Sequence, residues 1–331
     1  MWSDALGNDD RQLGLPDSYE AVISRTMAAR AEQRFLKSAH MKDQTTVLVT
    51  GCDGFLGRHL VPYLADQGHK VIAASRTVSN LEGPNIVTVA IPDLSNPFDW
   101  EPLVRQCRAI VHLAGIAHKF ANEDLYDRVN CQASQALASA ASRYNAHLIY
   151  VSSIAAQCGS FSDREVTEDD PPEPTTSYGR SKLAAERSIR ATGVSFTILR
   201  PVVIYGDGEK GNFAAVHRAS RLPIPLPFRS LTAKRSVLSV QNFCSAVALA
   251  LTDLRARGEL FIISDPEPLT LPDIIARYQA SLGRPPWLVA VPERWLKLFF
   301  KAIGEEGIWQ RIGCPLVARP TKILALGWKP S

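Results

Sequence analysis

The sequence has no apolar run of the length a bilayer span needs, no C-x-x-C pair and no block of like charge. The first absence excludes a membrane-inserted helix. Its six cysteines (Cys52, Cys107, Cys131, Cys158, Cys244, Cys314) stand far apart, which removes a disulfide frame and a zinc site of ordinary spacing; reduced thiols and no bound metal are expected. The net charge of +4 is carried by scattered Lys and Arg, so no nucleic-acid-binding stripe is present. The first twenty residues hold five acids and no apolar h-region, so no secretory signal is expected and the cytoplasm is the expected location. No internal repeat is found. What remains is 331 residues, 46% hydrophobic and 21% charged, enough for one large domain or two modest ones.

From residue 46 the hydrophobic period alternates between 2 and 3.6. "TVLVT" (46–50), "KVIAAS" (70–75), "NIVTVA" (85–90), "AIVHLA" (109–114), "HLIYVSS" (147–153) and "SFTILRP" (195–201) read as strands. Helices are expected over 55–68, 130–145 and 178–193, the last capped by Thr175–Ser177. Apolar strands separated by helices argue for an α/β, doubly wound parallel sheet. After residue 204 the rhythm breaks. "LPIPLPF" (222–228) reads as a surface loop, and helices near 240–256, 270–282 and 293–304 with a strand at 259–264 suggest a smaller lobe. The aromatic stripe of "ERWLKLFFKAIG" (293–304) reads as core.

Between the first strand and first helix stands "TGCDGFLG" (50–57). Gly51 permits the tight turn, Gly54 lets backbone approach a pyrophosphate, and Gly57 lets helix pack on strand, with the helix N-terminus facing the phosphates. The second strand ends in Ser75 and Arg76, where an acid would hold a ribose 2′-hydroxyl. A guanidinium there suits a 2′-phosphate, so NADP(H) is the expected cofactor, with NAD(H) as the alternative. Asp93 follows the third strand and is placed to accept from an adenine amino group. His112 reads as a packed core residue.

Tyr178 and Lys182 are four apart on the first turns of a helix and share a face. A free phenol near pKa 10 is a poor base, and an ammonium beside it is expected to favour phenolate. Ser153 closes the preceding strand, where its hydroxyl can return beside the tyrosine.

These motifs, "VLVTGCDGFLGRHL", "DLS", "VHLAG", "YVSS", "YGRSK" and "LRPVVIYG", resemble the extended short-chain dehydrogenase/reductases of the NAD-dependent epimerase/dehydratase family, from about residue 45 to the C-terminus. The resemblance implies a Rossmann-type sheet with a smaller mixed α/β C-terminal substrate lobe. It implies a cofactor site that also takes in Phe55, Leu56, Leu94, Leu113, Ala114, Gly115, Asn130, Pro201 and Val202, and catalysis by Ser153, Tyr178 and Lys182. "GNF" (211–213) and "KRSVLSVQNF" (234–243) resemble the segments whose Asn212 and Arg235 would meet a nucleotide diphosphate, and "ALGWKP" (325–330) resembles the family's C-terminal motif. Two departures stand out: Gln241 replaces a usual acid, and Ile154–Ala155 replace the Asp–Glu pair of the dehydratases, which argues against 4,6-dehydration.

The resemblance implies a UDP-linked sugar as substrate and a homodimer as assembly. Residues 263–285 and 234–243 are similar to bacterial 4-ketoreductases that make UDP-N-acetylquinovosamine-type sugars, so reduction of a UDP-4-keto-6-deoxyhexose for surface polysaccharide is expected. The alternatives are a UDP-sugar 4-epimerase with tightly bound NAD and, more remotely, a non-catalytic dinucleotide-binding module. Expected domains are a dispensable extension at 1–40 (an upstream start or an added amphipathic helix over Ser18–Ser38), a dinucleotide-binding domain at 41–204, and a mainly substrate-binding lobe at 205–331. Part of 231–256 is expected to pack back on the first domain.

Overall fold

The main sheet has seven strands, all parallel, built from the six apolar segments named above plus one more. They are β1 (Thr46–Thr50), β2 (Lys70–Ser75), β3 (Ile86–Ala90), β4 (Ala109–His112), β5 (His147–Val151), β6 (Phe196–Pro201) and β7 (Leu260–Ile263), lying in the order β7-β6-β5-β4-β1-β2-β3. The computed structural model describes residues 45–77, 80–117, 122–208 and 212–331, with the side chain of Asn212 outside that set. Residues 1–40, with the helix expected over Ser18–Ser38, lie outside the described residues.

Strand residues alternate between two apolar layers because side chains alternate across a pleated sheet. Val47, Val49, Val71 and Ile149 pack with Leu60 and Leu64 of helix α1 (Phe55–Asp66). Leu48, Ile72, Ile110 and Leu148 face the other way, against Leu137 of α2 (Ala133–Arg143) and Ile189 of α3 (Ser177–Ala191). Burying one such Leu or Ile contributes about 1.5–3 kcal/mol, so both faces must be covered. The crossover between β1 and β4 leaves a crevice at the carboxyl ends of these strands, where open α/β sheets bind ligands.

Two expectations change. Strand 259–264, assigned by linear reading to the smaller lobe, pairs as β7 with β6 in register Leu260↔Ile198; α4 (Val240–Thr252), within the segment expected to pack back, buries Phe243 and Val247 in the same layer as α1. The rhythm of alternation breaks at 205–239, and the chain then returns to finish the sheet. The second is the aromatic helix: α6 (Glu293–Ala302), which follows α5 (Leu271–Ser281), buries Leu296 but exposes Trp295, Leu298 and Phe299. The core reading of that stripe fails because its residues lie on two faces. In "LPIPLPF", Leu222–Pro225 are exposed, while Leu226 is buried and its N–H donates to the Trp287 carbonyl at 3.0 Å. Among the described residues no helix is long and apolar enough to cross a membrane.

Candidate active site

The glycine turn sits at the crevice with almost no room for side chains. Gly51 has φ +74°, and a Cβ there would lie 2.8 Å from the Ala114 backbone nitrogen. At Gly57 it would lie 2.5 Å from Cys52 Cα, so the helix packs directly on the turn. Gly54 is the N-cap of α1 and makes no side-chain cap bond, and the first turn carries no acid. The helix N-terminus is therefore open to an anion, and the cradle fits a pyrophosphate by close backbone approach and by dipole. Phe55 and Leu56 open α1, partly buried, and Leu113, Ala114 and Gly115 follow β4 opposite the turn.

At the tip of β2, Arg76 is exposed and its guanidinium lies 3.5 Å from the Asp93 carboxylate. Asp93 also accepts from the Ser95 N–H at 2.9 Å, and these bonds hold its carboxyl below the usual range. Ser75 is buried, its hydroxyl turned to the Thr77 carbonyl at 2.5 Å, and Leu94 is buried beside Asp93. Asp53, inside the glycine turn, accepts from the Thr77 hydroxyl at 2.8 Å. The sequence reading passed over this carboxylate because it expected the acid at a strand end.

Helix α3 begins where expected, with the Thr176 hydroxyl accepting from the Gly179 N–H at 3.0 Å. Gly179 has a reason beyond capping. A Cβ there would fall 2.1 Å from the Ala155 carbonyl, so only glycine lets the helix meet the turn after β5. That contact brings the Tyr178 phenol within hydrogen-bond reach of Ser153. Burial pushes the phenol up to about 12, and the Ser153 hydroxyl opposes the rise. Here the expectation of a phenolate-favouring lysine fails: Lys182 Nζ is turned away to donate to the Val151 carbonyl at 2.9 Å. Burial in turn pushes Lys182 down to about 8, with Glu186 pulling the other way.

Asn130 lies in a π-helical turn (Asp127–Gln132) leading into α2, the kind of helix defect that often marks a functional site. Its amide oxygen accepts from Ile116 N–H at 2.9 Å, and its nitrogen donates to the Ile116 carbonyl at 3.1 Å and Ser181 Oγ at 3.0 Å. A Cβ on Gly115 would lie 2.9 Å from Asn130 Oδ1 and 3.5 Å from Lys182 Nζ, so the bare glycine leaves room here for the Asn130 and Lys182 side chains. Pro201 and Val202 are buried at the end of β6. His112 is a core residue: its ring nitrogens pair with Thr50 Oγ1 at 2.7 Å and Ser134 Oγ at 3.0 Å, and burial pushes it down to about 3.

Behind Ser153 lies a polar network that the sequence reading missed. Glu186 and Arg200, both nearly inaccessible, pair through Nε–Oε1 at 2.9 Å and Nη2–Oε2 at 2.5 Å. The Ser152 hydroxyl donates to Glu186 at 2.5 Å, and Arg200 donates to the Gln157 amide oxygen. The signal was present, since Tyr178, Lys182 and Glu186 follow one another at four-residue steps along one helix face.

Ile154 and Ala155, which follow Ser153 in the chain, line a cavity of about 200 Å³ together with Val203, Phe213, Val216, Leu271 and Ile274, with Arg235 and Arg311 among its polar edges. Among the described residues no carboxylate lines it. Arg235 reaches this wall but spends its guanidinium on three carbonyls: Cys314 at 2.6 Å, Gln310 at 3.3 Å and Ser160 at 2.9 Å. Burial lowers it to about 10. It ties the 160 turn to the 310–314 segment. Arg311 belongs to no motif and was therefore missed. Asn212 opens a helix (Asn212–Arg221), but its side chain lies outside the described residues.

A dinucleotide cradle joined to a Ser–Tyr–Lys cluster at the carboxyl edge of a parallel sheet defines a short-chain dehydrogenase/reductase type of protein. The sequence model of the NAD dependent epimerase/dehydratase family matches residues 47–264, and the chain belongs to that family. It is 29% identical over 304 residues to the UDP-glucose 4-epimerase of Vibrio cholerae, covering 86% of this chain and 90% of that one. It is 33% identical over 218 residues, 63% of each protein, to the ceramide reductase of Caulobacter vibrioides. Its fold matches MoeE5 in complex with UDP-glucose and NAD at TM-score 0.69 and 23% identity, covering 86% of this chain and 93% of that one. Bordetella bronchiseptica WbmG in complex with NAD matches at TM-score 0.69 and 19% identity, covering 88% and 90%. The protein is an enzyme of the NAD-dependent epimerase/dehydratase type.

Proposed function

We propose that the chain reduces C4 of a UDP-linked 4-keto-6-deoxyhexose, in the cytoplasm and in the service of surface polysaccharide. The observation that carries this reading is the pairing of the buried Tyr178 phenol with Ser153, immediately before Ile154 and Ala155 in the wall of a largely apolar cavity. A reduced nicotinamide dinucleotide supplies the hydride. Tyr178 gives its proton to the sugar oxygen, Ser153 orients that oxygen, and Lys182 with Asn130 frames the nicotinamide–ribose corner. Hydride and proton together convert the ketone to an alcohol. Ile154 and Ala155 offer no acid to expel a C6 hydroxyl, which supports reduction over dehydration. Arg311 suits the diphosphate end by charge, while Arg235, expected there from the sequence, is committed to the Ser160, Gln310 and Cys314 carbonyls. The test is incubation with such a 4-keto sugar and NADPH or NADH: stoichiometric nicotinamide oxidation supports the reading, and no oxidation contradicts it.

One observation favours a second reading. Similarity to the V. cholerae UDP-glucose 4-epimerase extends over 90% of that protein, so C4 epimerisation with retained NAD is the alternative. Its signature is conversion of UDP-glucose to UDP-galactose without net cofactor turnover. The carrier preference has two sides as well. Exposed Arg76 supports NADP(H), whereas Asp53 and Asp93 beside it suit the 2′-hydroxyl of NAD(H). Arg76→Asp should shift the affinity ratio toward NAD(H) by about tenfold or more. An unmoved ratio would make Arg76 a solvated charge.

A further inference from the structure

Helix α6 is apolar on two sides and only one of them is used. Leu296 turns inward to the cluster formed with Leu271, Ile275 and Trp309. Trp295 is 55% exposed, Leu298 54%, Phe299 56% and Ile303 53%. At i, i+3, i+4 and i+8 these four share one face. Exposed single apolar residues are ordinary, but a tryptophan, a phenylalanine, a leucine and an isoleucine side by side form a patch that marks an interaction site.

The surrounding charge selects the partner. Arg294, Lys297 and Lys301 are exposed on the same helix, and the Arg294 guanidinium lies 5.9 Å from the Trp295 ring centre. Glu293 at the first position is the helix's one acid, and Glu305 and Glu306 follow beyond its end. A second copy of this chain is a poor match, because a two-fold contact sets the same face against itself and brings both sets of cations together. An anionic surface is complementary. Aromatic and aliphatic side chains on one face, with long cationic side chains able to reach outward from its edge, are the makings of an interfacial helix. The ten residues of α6 measure about 15 Å, half of a hydrocarbon core, so this helix can lie in the interface but cannot cross it.

We propose that the Trp295–Leu298–Phe299–Ile303 face docks peripherally on an anionic lipid bilayer, holding the enzyme at a membrane surface. The lipid identity enters only through its negative headgroup charge. This reading is independent of the sugar reaction.

The test is flotation of the full chain with phosphatidylglycerol–phosphatidylcholine vesicles and with phosphatidylcholine vesicles alone, together with mass measurement in solution. Wild-type protein should float with the anionic vesicles and lose much of that binding as salt rises past about 0.1 M, where the Debye length is about 10 Å. Trp295→Ser with Phe299→Ser should weaken binding about tenfold or more. Lys297→Glu with Lys301→Glu should do the same, and both variants should keep wild-type dinucleotide affinity as the measure of an intact fold. Absence of wild-type binding overturns the proposal, as does unchanged binding in the serine variant or equal binding to neutral vesicles. A wild-type dimer that the serine substitutions turn into monomer, without vesicle binding, assigns the face to a second copy and also overturns it.

Discussion

The dinucleotide end and the substrate end of the crevice are built on opposite principles. At the first, backbone does the work: Gly51, Gly57, Gly115 and Gly179 each stand where any Cβ would come within 3 Å of another atom. At the second, the cavity is walled by aliphatic side chains such as Ile154, Val216 and Ile274 that can be exchanged for others of similar size. The difference separates what the protein must conserve physically to move hydride from what it can vary to choose a substrate. Between the two ends stands the buried Glu186–Arg200 pair, which belongs by its character to the first.

Glu186→Ala should break that character most severely. It leaves the Arg200 guanidinium buried and unpaired, and such losses cost about 3–5 kcal/mol. Urea unfolding would measure it, and a change of less than about 1 kcal/mol would place the pair outside the framework.

Lys182 gives a pH signature of the same region. Burial pushes its folded pKa down to about 8 from the ordinary 10.5. Between these values the unfolded chain holds the proton and the native protein does not. The group's contribution to stability therefore rises with pH through that window, and below about 8 its full desolvation cost is present. Comparing wild type with Lys182→Met at pH 7.5 and 9.5 should show a differential change in stability of about 2 kcal/mol. Parallel slopes would mean that Lys182 keeps an ordinary pKa.

Gly51→Ala tests the backbone cradle itself. Strain at positive φ and collision with Ala114 are expected to cost about 1–3 kcal/mol, read as weaker dinucleotide binding by roughly five- to a hundredfold. Normal affinity would show that the turn can open. At the substrate end, Ile274→Val should leave stability within about 0.5 kcal/mol. It should move the relative kcat/KM of two sugars by no more than about tenfold. A collapse of all activity would erase the contrast between the two regions.

The framework was legible in the sequence where chemistry and backbone period coincide. "TVLVT" followed by "GCDGFLG" requires a strand, a turn without side chains and a helix, and the structure has all three. Tyr178 and Lys182 were legible as neighbours because a helix sets residues four apart on one side. Their electrostatics were not. Whether Lys182 points at the phenol or at the Val151 carbonyl depends on how β5 and α3 pack, and linear spacing holds no such information. Asp53 was hidden in a motif read only for its glycines. Strand β7 was misplaced because the excursion at 205–239 looks like a domain change until the chain is seen to return. On α6 an apolar count could not distinguish one buried face from a buried residue flanked by an exposed apolar face.

Tyr178→Phe is the most direct measure of the account as a whole, because it deletes one oxygen and leaves the helix and the cradle in place. Dinucleotide affinity and unfolding midpoint should match wild type. Turnover of a UDP-4-keto sugar should fall by about 10²–10⁴-fold, the usual contribution of a positioned acid–base group. Turnover near the wild-type rate with the same cofactor would show that the proton comes from elsewhere, and the proposed role of the Ser153–Tyr178–Lys182 cluster would be wrong.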